Sequence, residues 1–191
     1  EPSGRKVIPG NYKIKITYGD HADSTQVEVK PDPKIAVSIE EMTAKAALID
    51  RHNQNIQKAT GLTDQLRDAL ETVDFINKHF KKVEQTEAIE SILSKSDDLK
   101  KTIESHLYKI IPSKDVKGIS RDPSLVHYRL GGVNRYLQNT LFPTTPTQEY
   151  ALEECERYIK PILEGVEAFF ESDWAVFKKE VNEAGVGLIE D

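Results

Sequence analysis

The sequence predicts a mainly α-helical fold, an elongated up-down-up-down four-helix bundle preceded by an N-terminal β-hairpin. Apolar residues return every three or four positions through two long stretches, residues 42–83 and 152–181, which is the spacing of one helix face. Near the N-terminus the period changes to two, as in a strand with one buried face. These observations divide the chain into a hairpin at residues 1–33 and a bundle at residues 34–191.

The predicted hairpin consists of two alternating segments. Apolar side chains alternate with lysine and threonine from Tyr12 to Tyr18, and Val27 and Val29 share one face of a return strand at residues 24–30. Residues 19–23 form the predicted turn. Two strands alone are only marginally stable in water. We therefore expect the hairpin to dock on the helices, on another copy of the chain, or on a sheet encoded upstream.

Start and stop signals predict four helices, at about residues 39–83, 87–111, 123–141 and 146–184. Ser38 and Glu41 have the spacing of a capping box before the first helix. Thr145 and Gln148 repeat this spacing before the fourth helix, with Pro146 at the first helical position. The long first and last helices can be matched lengthwise, and the second and third helices then fill the other side.

One glycine interrupts the stripe of the first helix. An interior glycine costs about 1 kcal/mol relative to alanine, which a stripe this regular can absorb. We therefore favour a single unbroken first helix, and a helical hairpin broken at Gly61 is the alternative.

Composition excludes several classes of partner and site. The chain carries 32 acidic and 26 basic side chains, and its net charge of -6 repels phosphate backbones, so we expect no nucleic acid partner. No run approaches the roughly 18 apolar residues that a membrane span requires. Cys155 is the only cysteine, which excludes an internal disulfide. Its position on the apolar stripe predicts a small core residue.

The five histidines, His21, His52, His79, His106 and His127, are the first candidates for metal binding or acid–base catalysis. None stands in an H-E-x-x-H motif, and His52, His79 and His106 lie beside the apolar stripes, where structural or solvated positions are common. We assign no catalytic, cofactor-binding or metal-ligating residue and predict no cofactor. The alternative hypothesis is a small enzyme whose site lies between hairpin and bundle and uses one of these three histidines with nearby carboxylates.

Four short segments carry a resemblance to a known family. Residues 7–16 (VIPGNYKIKI) and 25–33 (TQVEVKPDP) resemble a join near the C-terminus of sortilin-like BNR-repeat β-propeller proteins, which are often labelled bacterial glycosyl hydrolases. Residues 143–150 (PTTPTQEY) and 181–185 (VNEAG) are similar to the helical region that follows this join in the family. The join is the end of a β-sandwich there. Lys34 departs from the family pattern, which has arginine at this position.

The resemblance implies a non-catalytic function for this chain. It implies a non-catalytic C-terminal structural and interaction module of a larger, secreted or periplasmic propeller protein, with the upstream β-sandwich and propeller domains as partners. Glu1 in place of a methionine agrees with a fragment or processed form. No propeller repeat is present, so no catalytic residue of the family can be transferred to this chain. A self-associating helical bundle, forming a homo-oligomer, is a further hypothesis.

Overall fold

A computed structural model confirms the predicted mainly α-helical bundle and the two-stranded antiparallel hairpin that precedes it. The structure describes residues 7–34, 36–83, 86–116, 118, 121–137 and 143–184. The elements in chain order are β1 (Gly10–Tyr18), β2 (His21–Val29), α1 (Ile39–Phe80), α2 (Glu87–Ile110), α3 (Val126–Leu137), α4 (Pro146–Phe169), a π-helical turn (Phe170–Trp174) and α5 (Ala175–Glu183).

The hairpin loop is shorter than the sequence predicts. Tyr18 pairs directly with His21, so Gly19 and Asp20 alone form the loop. Gly19 has a φ of 56°, the left-handed conformation that two-residue hairpin loops require and that glycine adopts without strain. The predicted turn at residues 19–23 is therefore too long, because residues 21–23 at the polar start of β2 pair with β1.

The first helix is unbroken. Its N-terminus has the predicted capping box, because the Ser38 side chain accepts from the Glu41 backbone and the Glu41 carboxylate accepts from the Ser38 backbone. The 42 residues of α1 extend about 63 Å and continue through Gly61. The helix ends at Phe80 rather than near residue 83, since Val83 lies in the turn that follows.

Helix α2 folds back along the C-terminal half of α1. Lys100 of α2 donates to Asp74 Oδ1 of α1 at 2.6 Å, and Asn77 of α1 donates to Asp97 Oδ1 of α2 at 3.1 Å. Residue numbers therefore rise along α2 as they fall along α1, which makes the two helices antiparallel.

Helix α3 continues in the direction of α2, along the N-terminal half of α1. At its start, Nδ1 of His127 lies 3.2 Å from the Ile110 carbonyl oxygen at the end of α2. At its far end, the Tyr136 carbonyl accepts from Gln148, whose side chain also accepts from Lys45 of α1. The helix directions are therefore up, down, down and up rather than strictly alternating. Neither α2 nor α3 is long enough to span the bundle, whereas the two in series match α1.

The start of α3 is later than expected. The Asp122 carboxylate accepts from the backbone and the hydroxyl of Ser124 at 2.8 and 2.6 Å, which holds a turn in place of the first predicted helical residues. Helix α3 therefore begins at Val126 rather than at residue 123. The last predicted positions, 138–141, lie outside the described residues.

The fourth predicted helix is one continuous helical element made of α4, the π-helical turn and α5. Its α4 part runs parallel to α1, because Glu156 pairs with Arg51 and Glu167 pairs with Lys58 further along. Its N-terminus carries the second predicted capping box, in which Thr145 accepts from the Gln148 backbone. As expected, the first and last helices lie lengthwise, with α2 and α3 on the other side.

The π-helical turn keeps the apolar stripe in phase. Phe169 and Trp174 are both buried although they are five positions apart, and a regular α-helix would place them about 140° apart around its axis. A π turn takes up one additional residue, so both aromatic side chains face the core. About one turn before Val166, Leu163 is buried in the core, whereas its neighbour Ile162 is only partly buried.

A seven-residue repeat on α1 faces the core. Two polar side chains occupy its N-terminal positions, although neither belongs to the apolar stripe that the sequence predicts over residues 42–83. The repeat consists of Lys45, His52, Ala59, Leu66, Val73 and Phe80, each no more than 4% exposed.

Candidate functional site

The histidines of the enzyme hypothesis lie apart from one another. His79 is exposed on α1, where its Nδ1 lies 2.8 Å from the Phe75 carbonyl oxygen and its ring stacks on Phe75 with centroids 3.8 Å apart. His106 is half-buried on α2, and its ring centroid lies 5.5 Å from that of Phe169. Burial lowers the pKa of His106, and Lys109 lowers it further. No group of three metal-ligating side chains occurs among the described residues.

His52 is the one histidine inside the bundle. It is 1% exposed, and neither ring nitrogen has a hydrogen-bond partner of good geometry. Burial lowers the pKa of His52, while the nearby Leu130 backbone and the Glu156 carboxylate oppose this shift. Burial therefore favours the neutral imidazole, which is the arrangement of a core histidine rather than of an accessible general base.

A polar cluster surrounds Glu156 beside His52. The Glu156 carboxylate accepts from Arg51 and, at 2.9 Å, from Asn55. Burial alone would raise the pKa of Glu156, but these hydrogen bonds outweigh burial and the pKa lies below its ordinary value. Glu156 is therefore an ionised structural carboxylate that joins α1 to α4.

Two open grooves border the middle of α1, and His52 lines neither of them. The groove between α1 and α4, of about 650 Å³, is lined by charged residues that are largely paired within the protein, such as Lys160 with Glu164 and Lys58 with Glu167. The groove at the α2–α3 junction, of about 330 Å³, is mostly apolar and has Asp64, Arg67 and His127 at its edge. In the second groove the Thr63 hydroxyl donates to the Ala59 carbonyl oxygen, and His127 Nδ1 lies against the Ile110 carbonyl oxygen, so these two side chains are bonded to the backbone rather than to each other.

Cys155 lies in the core as predicted. It is 3% exposed, and burial raises its pKa to about 11, with Glu156 acting in the same direction and Arg129 opposing. Arg129 itself stacks over the Tyr158 ring, with its guanidinium carbon 3.6 Å from the ring centroid. A thiol in this environment stays protonated and unreactive.

Exposed apolar side chains also form one side of the hairpin. Directly opposed residues of an antiparallel pair share a face, so the register of the two strands places one valine beside the apolar residues of β1. Ile16 is 71% exposed and Tyr18 is 86% exposed. We call this surface the hairpin face. Its apolar side chains are Tyr12, Ile14, Ile16, Tyr18 and Val27, and the same register places the polar residues His21, Asp23 and Thr25 beside them.

The helices do not cover the hairpin face. Every residue of β1 is exposed, and in β2 only Val29 is partly buried. Of the three docking surfaces expected from the sequence, the chain's own helices are therefore excluded for the described residues. The face must meet a partner or remain in water.

Sequence reasoning missed a buried lysine near the N-terminus of α1. Lys45 is 2% exposed and donates to Gln148, and burial lowers its pKa. The seven-residue spacing of Lys45 and His52 to Ala59 and Leu66 was the signal that could have placed both polar residues on the buried face.

Comparison with known protein families, with curated proteins and with solved structures found no match. Among the described residues, no helix is both long enough and apolar enough to cross a membrane.

Proposed function

We propose that this chain is a non-catalytic structural and interaction module of a larger BNR-repeat propeller protein. In this proposal the hairpin supplies the last two strands of a β-sandwich, and the bundle orients the module against the rest of the polypeptide. The exposed hairpin face is the single observation that carries the proposal, and the resemblance of the hairpin segments supplies the partner. A secreted or periplasmic location belongs to the same proposal.

The energetics of the hairpin support a missing partner. A two-stranded hairpin is marginally stable by itself, and burying an isoleucine side chain contributes about 1.5–3 kcal/mol. Ile14 and Ile16 gain none of this from the helices, since both are exposed. A second layer over the hairpin face would bury both, together with the two tyrosines, and would stabilise the hairpin by several times the energy of thermal motion.

The bundle needs no such partner. Its core contains buried side chains from every helix, including Leu66, Ile103, Leu137 and Phe177. The two parts of the chain therefore differ: the helices bury their own apolar stripes, whereas the hairpin presents its stripe to the outside. This difference is typical of an interaction element joined to a stable support.

The first test is the size of the native polypeptide. An antibody raised against this 21.6 kDa chain is used to probe an extract of the source cells. We expect a band several times larger, as a propeller and a sandwich require. A band at the size of the chain itself would overturn the proposal.

A second test measures whether the hairpin face is covered. Ile16→Cys places a thiol on the hairpin face, and Lys15→Cys places a matched thiol on the opposite, polar face. In the isolated chain both introduced thiols should react readily with a thiol reagent, whereas Cys155 should not react because it is buried. In the larger polypeptide we expect Ile16→Cys to react at least about tenfold more slowly, as for a residue exposed only by local opening, and Lys15→Cys to be unchanged. Equal reactivity of Ile16→Cys in both settings would refute a covered face.

The hairpin face also allows self-association. Light scattering of the isolated chain distinguishes this second candidate, since a dimer that Ile16→Asp abolishes would favour it. The enzyme hypothesis has no comparable support, because the two grooves described above are lined neither by the hairpin nor by His52, His79 or His106.

A further inference from the structure

The two edges of the hairpin are not equivalent. A two-residue loop makes Tyr18 and His21 a hydrogen-bonded pair, and such pairs alternate along an antiparallel ladder. The intervening residues direct their backbone N–H and C=O groups outward, where a third strand could bind. These residues are Asn11, Lys13, Lys15 and Thr17 on β1, and Ala22, Ser24, Gln26 and Glu28 on β2.

The β2 edge is obstructed in its middle. The outward N–H of Ser24 already donates to Asp23 Oδ1 at 2.7 Å. A strand added at this edge would either displace the Asp23 carboxylate from the Ser24 N–H or pair without a ladder hydrogen bond to this N–H. A missing hydrogen bond at a buried position is destabilising. Proline residues at 31 and 33 follow immediately after this strand. On β1, the described residues show no side chain bonded to the outward N–H groups.

The charges on β1 determine which strand fits its edge. Lys13 and Lys15 stand on the polar face of β1, and this strand contains no acidic residue. Two copies joined through their β1 edges would bring these lysines together across the new pair, which is destabilising. A strand with acidic residues opposite Lys13 and Lys15 pairs favourably instead. Apolar residues on its other face would extend the hairpin face.

We propose that the β1 edge is the pairing edge of this hairpin, and that it accepts one extended strand of alternating acidic and apolar residues. This inference rests on the proposed function, in which that strand belongs to the upstream β-sandwich. The β2 edge then remains the free margin of the sheet, protected by Asp23.

Two synthetic nine-residue peptides test the edge directly on the isolated chain. Both alternate valine or threonine with a charged residue, which is glutamate in one peptide and lysine in the other. Hydrogen exchange followed by NMR reports each backbone amide separately. We expect millimolar glutamate peptide to slow exchange at Lys13 and Lys15 at least about fivefold, as expected of amides that gain a ladder hydrogen bond, and to leave Gln26 and Glu28 unchanged.

A charge reversal provides the matched control. In the double variant Lys13→Glu and Lys15→Glu, the lysine peptide should protect the two edge amides and the glutamate peptide should not. Protection of Gln26 and Glu28 instead, equal protection by both peptides, or no protection by either peptide would each overturn the inference. The peptide experiment tests the β1 edge, whereas the size of the native polypeptide tests the proposed function. Either one can therefore fail without the other.

Discussion

The π-helical turn predicts an unusual tolerance to deletion. Removing the exposed residue Glu171 from the Phe170–Trp174 segment should convert the π turn into a regular α-helical turn. Phe169 and Trp174 then become four positions apart, and both still face the core. Because no buried side chain changes direction, we expect the free energy of unfolding to change by no more than about 1 kcal/mol, the scale of a surface change in a helix.

A deletion elsewhere in the same helix should be far more costly. Removing the exposed residue Lys160 shifts the phase by about 100° between residue 161 and the π turn. Leu163, Val166 and Phe169, each buried, would then turn away from the core. At about 1.5–3 kcal/mol for each side chain, the loss amounts to about 5–9 kcal/mol, comparable to the whole stability of a typical domain.

Urea denaturation measures both variants. Trp174 is the only tryptophan in the chain, and it is buried, so its fluorescence reports unfolding at the site in question. Circular dichroism follows the helices as a whole. If the Glu171 deletion destabilised the protein as much as the Lys160 deletion, the π turn would not be taking up an additional residue and the reasoning would be refuted.

Three further predictions concern single residues. The pKa of His52 is lowered in the folded state, so below about pH 6.5 the unfolded chain binds more protons, and the free energy of unfolding should decrease as the pH is lowered, by at most about 1.4 kcal/mol per pH unit. Urea unfolding at pH 7.5 and 5.5 should show this decrease, and His52→Leu should reduce it. An equal decrease in the variant would contradict the assignment to His52. Gly61 is helical, and a Cβ there would contact nothing within 4 Å. Gly61→Ala should therefore raise the free energy of unfolding by about 0.5–1 kcal/mol. A lower free energy of unfolding in the same assay would argue against an unbroken helix. Cys155 should react with a thiol reagent at pH 8 only after unfolding, because the native thiol is buried with a pKa of about 11; fast labelling of the native chain would disprove a closed core at this position.

Local chemistry determined where most elements lie. The capping residues Ser38 and Thr145 set two helix starts to the residue, because each cap satisfies backbone groups within a few positions of itself. The strand alternation from Tyr12 to Tyr18 is equally local. The predicted loop after Tyr18 was too long because polar residues form a strand as readily as a loop when a partner strand lies beside them.

The sequence by itself determined that the chain is a helical bundle with a hairpin, and that the hairpin has one apolar face. Only the tertiary structure decided that α3 continues in the direction of α2, that Lys45 and His52 lie in the core, and that a π turn keeps Phe169 and Trp174 in phase. These features depend on which segments meet across the bundle, and that is decided by packing between residues distant in the chain rather than by any local pattern. The exposure of the hairpin face has the same cause, since the helices bury their apolar stripes against one another and leave none to cover Ile14 and Ile16.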